Sequence, residues 1–177
     1  MAAFFAAVML LDMVLVTTLS LVATGIFHSL FALQLPFGTM LLAYWTFLFA
    51  VSGLAYLVSA VTSPARTTIT GICLLAITVL LAGAAPTLLE LDEMQVLGPV
   101  LYSLSPAKWL VEGLTVAERN ASPSIMHNRY DHLLVDHYGF DLSHDTVAAG
   151  AGAAALLATG FRLIAVLVFA RMRSSRL

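Results

Sequence analysis

The sequence predicts an all-α integral membrane protein with four transmembrane helices and an external loop that contains a short amphipathic helix. Of its 177 residues, 60% are hydrophobic and only 10% are charged, and the mean hydropathy is +0.96. Soluble domains carry about 25% charged residues, so this chain has too few to cover a globular surface. Lys, Arg, Asp and Glu are absent from Met13 to Ala65 and again from Thr67 to Leu89. Such long runs match the apolar interior of a bilayer.

Four apolar segments are long enough to cross the hydrocarbon core, which needs about 20 helical residues. They cover residues 3–27, 37–61, 68–89 and 147–170. Each is a continuous apolar run, whereas a membrane β-barrel would show short strands of alternating character. No basic stretch precedes the first segment and no cleavage-type boundary follows it, so we expect a retained span rather than a signal peptide.

A long polar segment, residues 90–146, separates the third and fourth spans and holds nine of the ten acidic residues. The arginines that flank the ends of spans lie outside this polar segment. Arg66 lies between the second and third spans, and three arginines follow the fourth span: Arg171, Arg173 and Arg176. Because short cytoplasmic flanks are enriched in Lys and Arg, the sequence predicts that both termini are cytoplasmic and that the long segment is external.

The amphipathic helix of this external loop is predicted to run from Ser105 to Glu118. Ser105 is a good N-cap, and Pro106 suits the first helical position. At helical spacing, four apolar residues fall near one face: Trp109, Leu110, Leu114 and Ala117. Three charged residues fall mainly on other faces: Lys108, Glu112 and Glu118. Such a helix lies in the outer interface or dips into it, with its Trp at headgroup depth. A surface helix packed on the span ends is the alternative.

Several segments resemble, in the same order, the C-terminal part of the G-subfamily (white/pleiotropic-drug type) ABC transporters. "SLSPAKWLVEGLTVAERN" is followed by "YGFDLSHD" and by a final span containing "FRLIAVLVFARM", a series most similar to the plant half-transporter branch. "SGLAYLVSAVTSPA" is similar to the end of that family's fourth span, and "LLDMVLVTTLSL" is similar to its third span. The resemblance covers nearly the whole chain.

The resemblance implies that the chain is part of an ABC-2 type transmembrane domain, with spans three to six of six and an external loop that holds a re-entrant helix. It implies part of the permease of an ATP-driven exporter of lipid-like or amphipathic small molecules, multi-pass in the plasma membrane. The chain has no Gly-x-x-x-x-Gly-Lys-Ser/Thr loop, so ATP and Mg²⁺ would bind a nucleotide-binding domain supplied in cis or in trans. The chain itself is therefore not expected to be an enzyme, to contain catalytic residues or to hold a cofactor.

The implied partners are membrane lipid and a second half-transporter, in a homodimer or a heterodimer. The alternative is a truncated, non-transporting membrane protein that pairs with or regulates full-length transporters. Nucleic-acid binding is not expected, because the net charge is −2 and the sequence has no basic patch.

Four residues are candidates for a structural or gating role. Asp12 lies within the first span, and we favour an anchoring or interhelical role for it over an ion site. Arg162 lies near the middle of the fourth span, where the cost of desolvating its charge predicts an ion pair or a contact with backbone carbonyls rather than substrate binding. Trp109 and Glu112 belong to the amphipathic helix, which the resemblance implies to cap the outer gate.

Other candidates have weaker signals. Four residues could line a substrate pathway, with ordinary span residues as the alternative: Thr70, Thr78, Leu88 and Leu89. Asn120 begins a formal glycosylation sequon, which Pro123 follows directly. Four histidines of the external loop are spaced by five or seven residues, which does not match helical zinc motifs, so no metal site is predicted: His127, His132, His137 and His144. Cys73 is the single cysteine, which excludes an intrachain disulfide.

Overall fold

The computed structural model describes residues 2–31, 33–82, 87, 89–90, 93–94, 96–121, 131–140 and 146–174. The regular elements of these residues are helices: α1 (Ala2–Phe31), α2 (Phe37–Val61), α3 (Pro64–Leu80), α4 (Leu97–Ser103), α5 (Pro106–Ala121), a π-helix (His132–His137) and α6 (Thr146–Ser174). The all-α prediction is therefore confirmed for the described part of the chain.

Three of the helices are long and apolar enough to cross a membrane. The candidate spans are Ala7–Phe31 of α1, Phe37–Val61, which is all of α2, and Val147–Arg171 of α6, with 25 residues each. At 1.5 Å per residue such a helix is about 37 Å long, which exceeds the roughly 30 Å of a hydrocarbon core. These three helices are thus compatible with a multi-pass membrane protein, and they correspond to three of the four predicted spans.

The predicted third span, residues 68–89, has different bounds in the structure. α3 begins earlier, at Pro64, and ends at Leu80 after 17 residues, and Leu81 and Ala82 form a turn. The prediction extended the helix too far because the apolar run continues beyond Leu80. The sequence does contain residues that favour a helix end shortly after this point, namely Gly83 and Pro86. Residues 83–86 lie outside the described part of the chain. α3 is about 26 Å long, shorter than the other three.

α2 is the centre of the bundle, with α1 on one side and α6 on the other. α1 runs antiparallel to α2, because Asp12 near the start of α1 meets Ser52, while Phe27 near its end stacks on Tyr44. α6 runs parallel to α2, because Ala43 in the N-terminal part of α2 and Val147 at the start of α6 line the same cavity beside α5. This arrangement places the middle parts of α1, α2 and α6 side by side.

α5 packs where α2 and α6 begin, and it also contacts α3. A small cavity between α5 and these two spans is lined by residues that include Phe47 of α2 and Ala154 of α6. Val116 of α5 forms a hydrophobic core with Leu134 and Phe140. The π-helix and the residues after it therefore join α5 in a compact cap over one end of the bundle.

The outward faces of the long helices are apolar. Leu11 of α1, Ile69 of α3 and Leu156 of α6 are 74%, 68% and 75% exposed. No described residue of α3 is buried. Soluble monomers rarely expose contiguous apolar surface of this extent, so these faces fit contact with lipid tails or with another membrane helix.

Candidate functional site

An ion pair in the middle of the helix bundle joins α1, α2 and α6. Arg162 Nη2 lies 2.8 Å from Asp12 Oδ2, and Ser52 Oγ lies 2.6 and 2.7 Å from the two oxygens of the same carboxylate. Arg162 Nη2 also donates to Ser52 Oγ over 3.1 Å. The side chains of Arg162 and Asp12 are only 8% and 12% exposed. Asp12, Ser52 and Arg162 are termed the three-helix polar cluster below.

The rest of the Arg162 guanidinium contacts backbone and an aromatic ring. Nη1 donates to the carbonyl of Phe49 over 2.8 Å and to the carbonyl of Ala158 over 3.4 Å. The guanidinium carbon lies 3.7 Å from the centroid of the Phe49 ring, in cation–π contact. Nε is buried without a hydrogen-bond partner among the described residues. Arg162 thus makes both contacts expected from the sequence, an ion pair and carbonyl contacts, and Asp12 lies between helices.

The depth of the cluster explains why the two charges must be paired. Ser52 lies about 14 Å along α2 from its end at Val61, and Arg162 lies about the same distance along α6 from Arg171. In a core of about 30 Å this is close to the midplane. An unpaired charge at that depth is costly, and mutual attraction with several hydrogen bonds offsets the cost. The cluster can therefore fix the positions of α1, α2 and α6 relative to one another along their axes.

Gly53 allows α2 and α6 to approach each other beside this cluster. A Cβ atom at this position would lie 2.8 Å from the Ala158 carbonyl oxygen and 3.0 Å from Arg162 Nη1. Nearby alanines, Ala50 and Ala154, are also buried in the same contact. Small residues let membrane helices pack closely, so sequence reasoning could have found Gly53 and Ser52 from the Ser-Gly pair inside an apolar span.

α5 carries a charged pair on its buried side, which corrects the predicted orientation of this helix. Lys108 Nζ lies 2.6 Å from Glu112 Oε2, and both side chains are less than a tenth exposed. The ammonium lies 3.6 Å from the centroid of the Trp109 ring and 5.5 Å from that of Tyr102. The prediction that Lys108 and Glu112 lie away from the packed face is wrong. The i, i+4 pairing neutralises them, and the aromatic rings cover the ammonium.

Ser105 joins the start of α5 to the end of α3. The Lys108 amide donates to Ser105 Oγ over 3.3 Å, which confirms the predicted N-cap. The same hydroxyl donates to the carbonyl of Thr78 over 2.6 Å, and carbonyls in the last turn of a helix need such partners. Trp109 Nε1 donates to the Ser103 carbonyl over 2.9 Å. These bonds fix the direction in which α5 enters the bundle.

α5 lies directly on the backbone of α6 at Gly150. A Cβ atom there would lie 2.9 Å from the carbonyl oxygen of Trp109, so any larger residue would push the two helices apart. On the far side, the Glu118 carboxylate accepts bonds from the amides of Gln34 and Leu35, at 2.9 and 3.2 Å. α5 is therefore attached both to α6 and to the connection between α1 and α2.

A third ion pair, between Arg119 and Asp131, joins α5 to the start of the π-helix. Arg119 Nε and Nη2 lie 2.7 and 2.6 Å from the two oxygens of Asp131, a bidentate arrangement. The hydrogen bond with Asp131 raises the pKa of Arg119 above its ordinary value, because the carboxylate favours the charged form of the guanidinium. Asp131 begins the turn into the π-helix, and this pair thus holds the π-helix on the end of α5.

The structure does not bring the predicted substrate-pathway residues into one site. Thr70 and Thr78 lie about 12 Å apart along α3, and the hydroxyl of Thr78 donates to the carbonyl of Leu75 within the same helix. Leu89 packs against Gly139. Leu88 lies outside the described residues. Their role in a substrate pathway stays a prediction.

The described residues of the segment 90–146 do not gather into a metal site. In the part of the chain that the structure describes, no group of three or more His, Cys, Asp or Glu side chains could hold a metal ion. His132 Nδ1 lies 3.0 Å from Asp136 Oδ2 on an exposed surface, and His127 and His144 lie outside the described residues. Asn120 is exposed at the end of α5 and accepts a bond from Arg119 Nη1. Its glycosylation stays a prediction.

No family model, curated protein or solved structure matches this chain. Function therefore has to be inferred from two features of the described residues. One is the three-helix polar cluster, and the other is the placement of α5 with its buried Lys108–Glu112 pair.

Proposed function

We propose that this chain is part of the permease domain of an ATP-driven ABC-2 type transporter that exports lipid-like or amphipathic small molecules. The observation that carries the proposal is the placement of α5, an amphipathic helix that packs against the N-terminal parts of two long apolar helices, α2 and α6. The segments that build this arrangement are those whose order in the sequence resembles the G-subfamily of ABC transporters. In this proposal α5 is the re-entrant helix of the external loop.

The contacts suggest how the chain would work as a permease. The three-helix polar cluster holds α1, α2 and α6 together as one body. α3 has no buried residue and is attached chiefly at its two ends, to α2 and to α5. α3 is then the third of the four predicted spans and the element that moves against α1, α2 and α6 during alternating access, while α5 closes the outer end. ATP and Mg²⁺ would act in a nucleotide-binding domain in cis or in trans, within a homodimer or heterodimer in the plasma membrane.

The proposed function predicts that an ATPase accompanies the chain. The tagged chain, purified gently from its native membrane, should carry a Mg²⁺-dependent, vanadate-sensitive ATPase activity, with a P-loop protein in the same complex. The same purification from cells that express an untagged chain is the control. If the intact chain is recovered without ATPase activity in repeated preparations, the proposal fails. A non-transporting chain that pairs with transporters would also co-purify with this ATPase activity. Export measured with and without the chain separates that possibility from a role in the permease.

Topology provides a second test. With Cys73 replaced by Ala, single cysteines are introduced at Asp141 and Arg173, which lie before and after the candidate span Val147–Arg171. Because the flanking arginines predict cytoplasmic termini, a membrane-impermeant maleimide added to intact cells should label position 141 and not position 173. Labelling of position 173 but not of position 141 would show the opposite orientation.

Trp109 tests whether α5 seals the outer end. Replacement by Glu removes the ring above Lys108 and the bond to Ser103, and it adds a charge beside Gly150. We expect ATP-driven export to fall about tenfold, which corresponds to roughly 1.4 kcal/mol. The matched variant Trp109→Phe keeps a ring above Lys108 and should retain most of the export. Equal export by Trp109→Glu and the parent chain, at equal amounts in the membrane, would refute the sealing role.

A further inference from the structure

The turn between α4 and α5 lies deep beside the spans. Ser105 in this turn donates to the Thr78 carbonyl over 2.6 Å, and Thr78 is about 21 Å along α3 from Pro64, where the helix begins. Pro64 is level with the end of α2, because the hydroxyls of Thr62 and Thr67 lie 3.0 Å apart across the connection. α2 is about 37 Å long. Along the bundle, Ser105 is therefore about 16 Å or more from the level at which α2 begins.

The cavity beside α5 gives nearly the same depth for this turn. Pro106, the first residue of α5, lines the cavity together with Thr46 of α2. Thr46 is about 14 Å along α2 from its start at Phe37. α2 is about 7 Å longer than a hydrocarbon core of about 30 Å. With α2 centred in the core, both contacts place the turn about 10 Å inside the hydrocarbon boundary nearer to α5.

Polar groups of the turn are satisfied within the protein, as a position inside the hydrocarbon requires. The amides of Leu104 and Ser105 donate to backbone carbonyls of α4, and the Ser103 hydroxyl donates to the Val100 carbonyl. The Ser103 carbonyl accepts a bond from Trp109 Nε1, and Ser105 is only 1% exposed. The turn therefore meets the condition for irregular backbone at membrane depth, which is burial in protein.

α4, which leads into this turn, has an exposed apolar surface without charge. Residues 94–107 include no Lys, Arg, Asp or Glu, and the first charge after them, on Lys108, is paired with Glu112 on the buried side of α5. Four large apolar side chains of α4 and the turn are 37–66% exposed: Leu97, Val100, Leu101 and Leu104. α4 is about 10 Å long, so a helix that ends at the turn does not reach beyond the hydrocarbon boundary. These side chains therefore lie at the depth of lipid tails.

We propose that α4 is inserted in the leaflet that contains α5 and that its large exposed side chains contact lipid acyl chains. Contacts between membrane helices favour small or polar residues, whereas these side chains are leucines and a valine, so lipid tails are the partner that fits them. The insertion also extends the apolar surface of α3, which at about 26 Å is shorter than the core. Leu81, after α3, and Tyr102 of α4 pack against the same hydrophobic core, which joins the two surfaces. The proposal needs only that the chain lies in a bilayer, so it is independent of the transport function proposed above.

The test measures the depth of single nitroxide labels on the full chain in phosphatidylcholine vesicles, with Cys73 replaced by Ala. Accessibility to oxygen, which concentrates in the hydrocarbon, is compared with accessibility to a neutral, water-soluble nickel chelate. Labels at Leu101 and Leu104 should be more accessible to oxygen than to the chelate, and the label at Leu104 should lie about 10 Å inside the hydrocarbon boundary. Leu156, which is 75% exposed in the α6 span, is the control for contact with lipid. His132, whose side chain is 85% exposed on the π-helix, is the control for contact with water.

Two results would overturn the proposal. If the labels at Leu101 and Leu104 are as accessible to the chelate as the label at His132, α4 lies in water. If both labels are inaccessible to oxygen and to the chelate, protein rather than lipid covers α4. Circular dichroism and protease resistance of each labelled chain show whether it is folded, and a label at Val100 replaces one that prevents folding.

Discussion

Replacing Arg162 with Leu should destabilise the helix bundle by about 3–5 kcal/mol, because it leaves the Asp12 carboxylate buried without its counter-ion. The same change removes the bonds to the carbonyls of Phe49 and Ala158, which hold α2 against α6. The measurement is reversible unfolding of the purified chain in bicelles by increasing SDS, followed by tryptophan fluorescence. This is the largest stability effect that the structure predicts for a single substitution.

Two variants separate this effect from a general effect of charge. Arg66→Leu removes an exposed arginine and should change the stability by no more than about 0.5 kcal/mol. The double variant Asp12→Leu with Arg162→Leu should recover more than half of the loss, because an apolar pair often replaces a buried ion pair without penalty. The pairing role would be contradicted if Arg162→Leu lowered the free energy of unfolding by less than about 1 kcal/mol. It would also be contradicted if the loss in the double variant equalled the sum of the losses in the two single variants.

Gly150→Leu should detach α5 from α6, with a local cost of about 1–3 kcal/mol from the forced separation of two backbones. Amide hydrogen exchange along α5 should then accelerate by roughly 5–150-fold, while exchange in α2 stays slow. Gly152→Leu is the matched control, because no atom lies within 4 Å of a Cβ there, and its exchange should equal that of the parent chain. Unchanged protection of α5 in Gly150→Leu would show that α5 is not held by this contact.

Much of the fold could be predicted because the bilayer imposes simple rules on composition. Long, predominantly apolar segments identified α1, α2 and α6, and the Ser-Pro pair before Lys108 located the start of α5. The end of α3 was predicted too late, because hydropathy alone does not distinguish a helix from an apolar stretch beyond it. Gly83 and Pro86 carried the local signal that the helix ends, and the apolar run outweighed it in the prediction.

The candidate site was only partly predictable, for a different reason. Asp12 and Arg162 stand out in apolar segments, and their cost in a membrane makes a partner necessary. The Ser52-Gly53 pair marks a place where membrane helices can pack closely, but only the three-dimensional contact shows that Ser52 meets Asp12 and that Gly53 lies against α6. The sequence placed the charges of α5 mainly on faces other than that of Trp109 and Leu110, and it gave no sign that this charged face would be buried. An i, i+4 pair such as Lys108–Glu112 can instead be buried as a neutral unit.

The central claim, that this chain forms part of the route of an ATP-driven exporter, is tested most directly by transport in sealed vesicles. The complex purified through the tagged chain is reconstituted with a fluorescent amphipathic lipid, with ATP and Mg²⁺ added on the side of the nucleotide-binding domain. The account predicts lipid movement that requires ATP hydrolysis, falls with Trp109→Glu, and is absent when the partner is reconstituted without this chain. Export that continues undiminished without the chain would contradict the claim and identify the chain as a non-transporting partner.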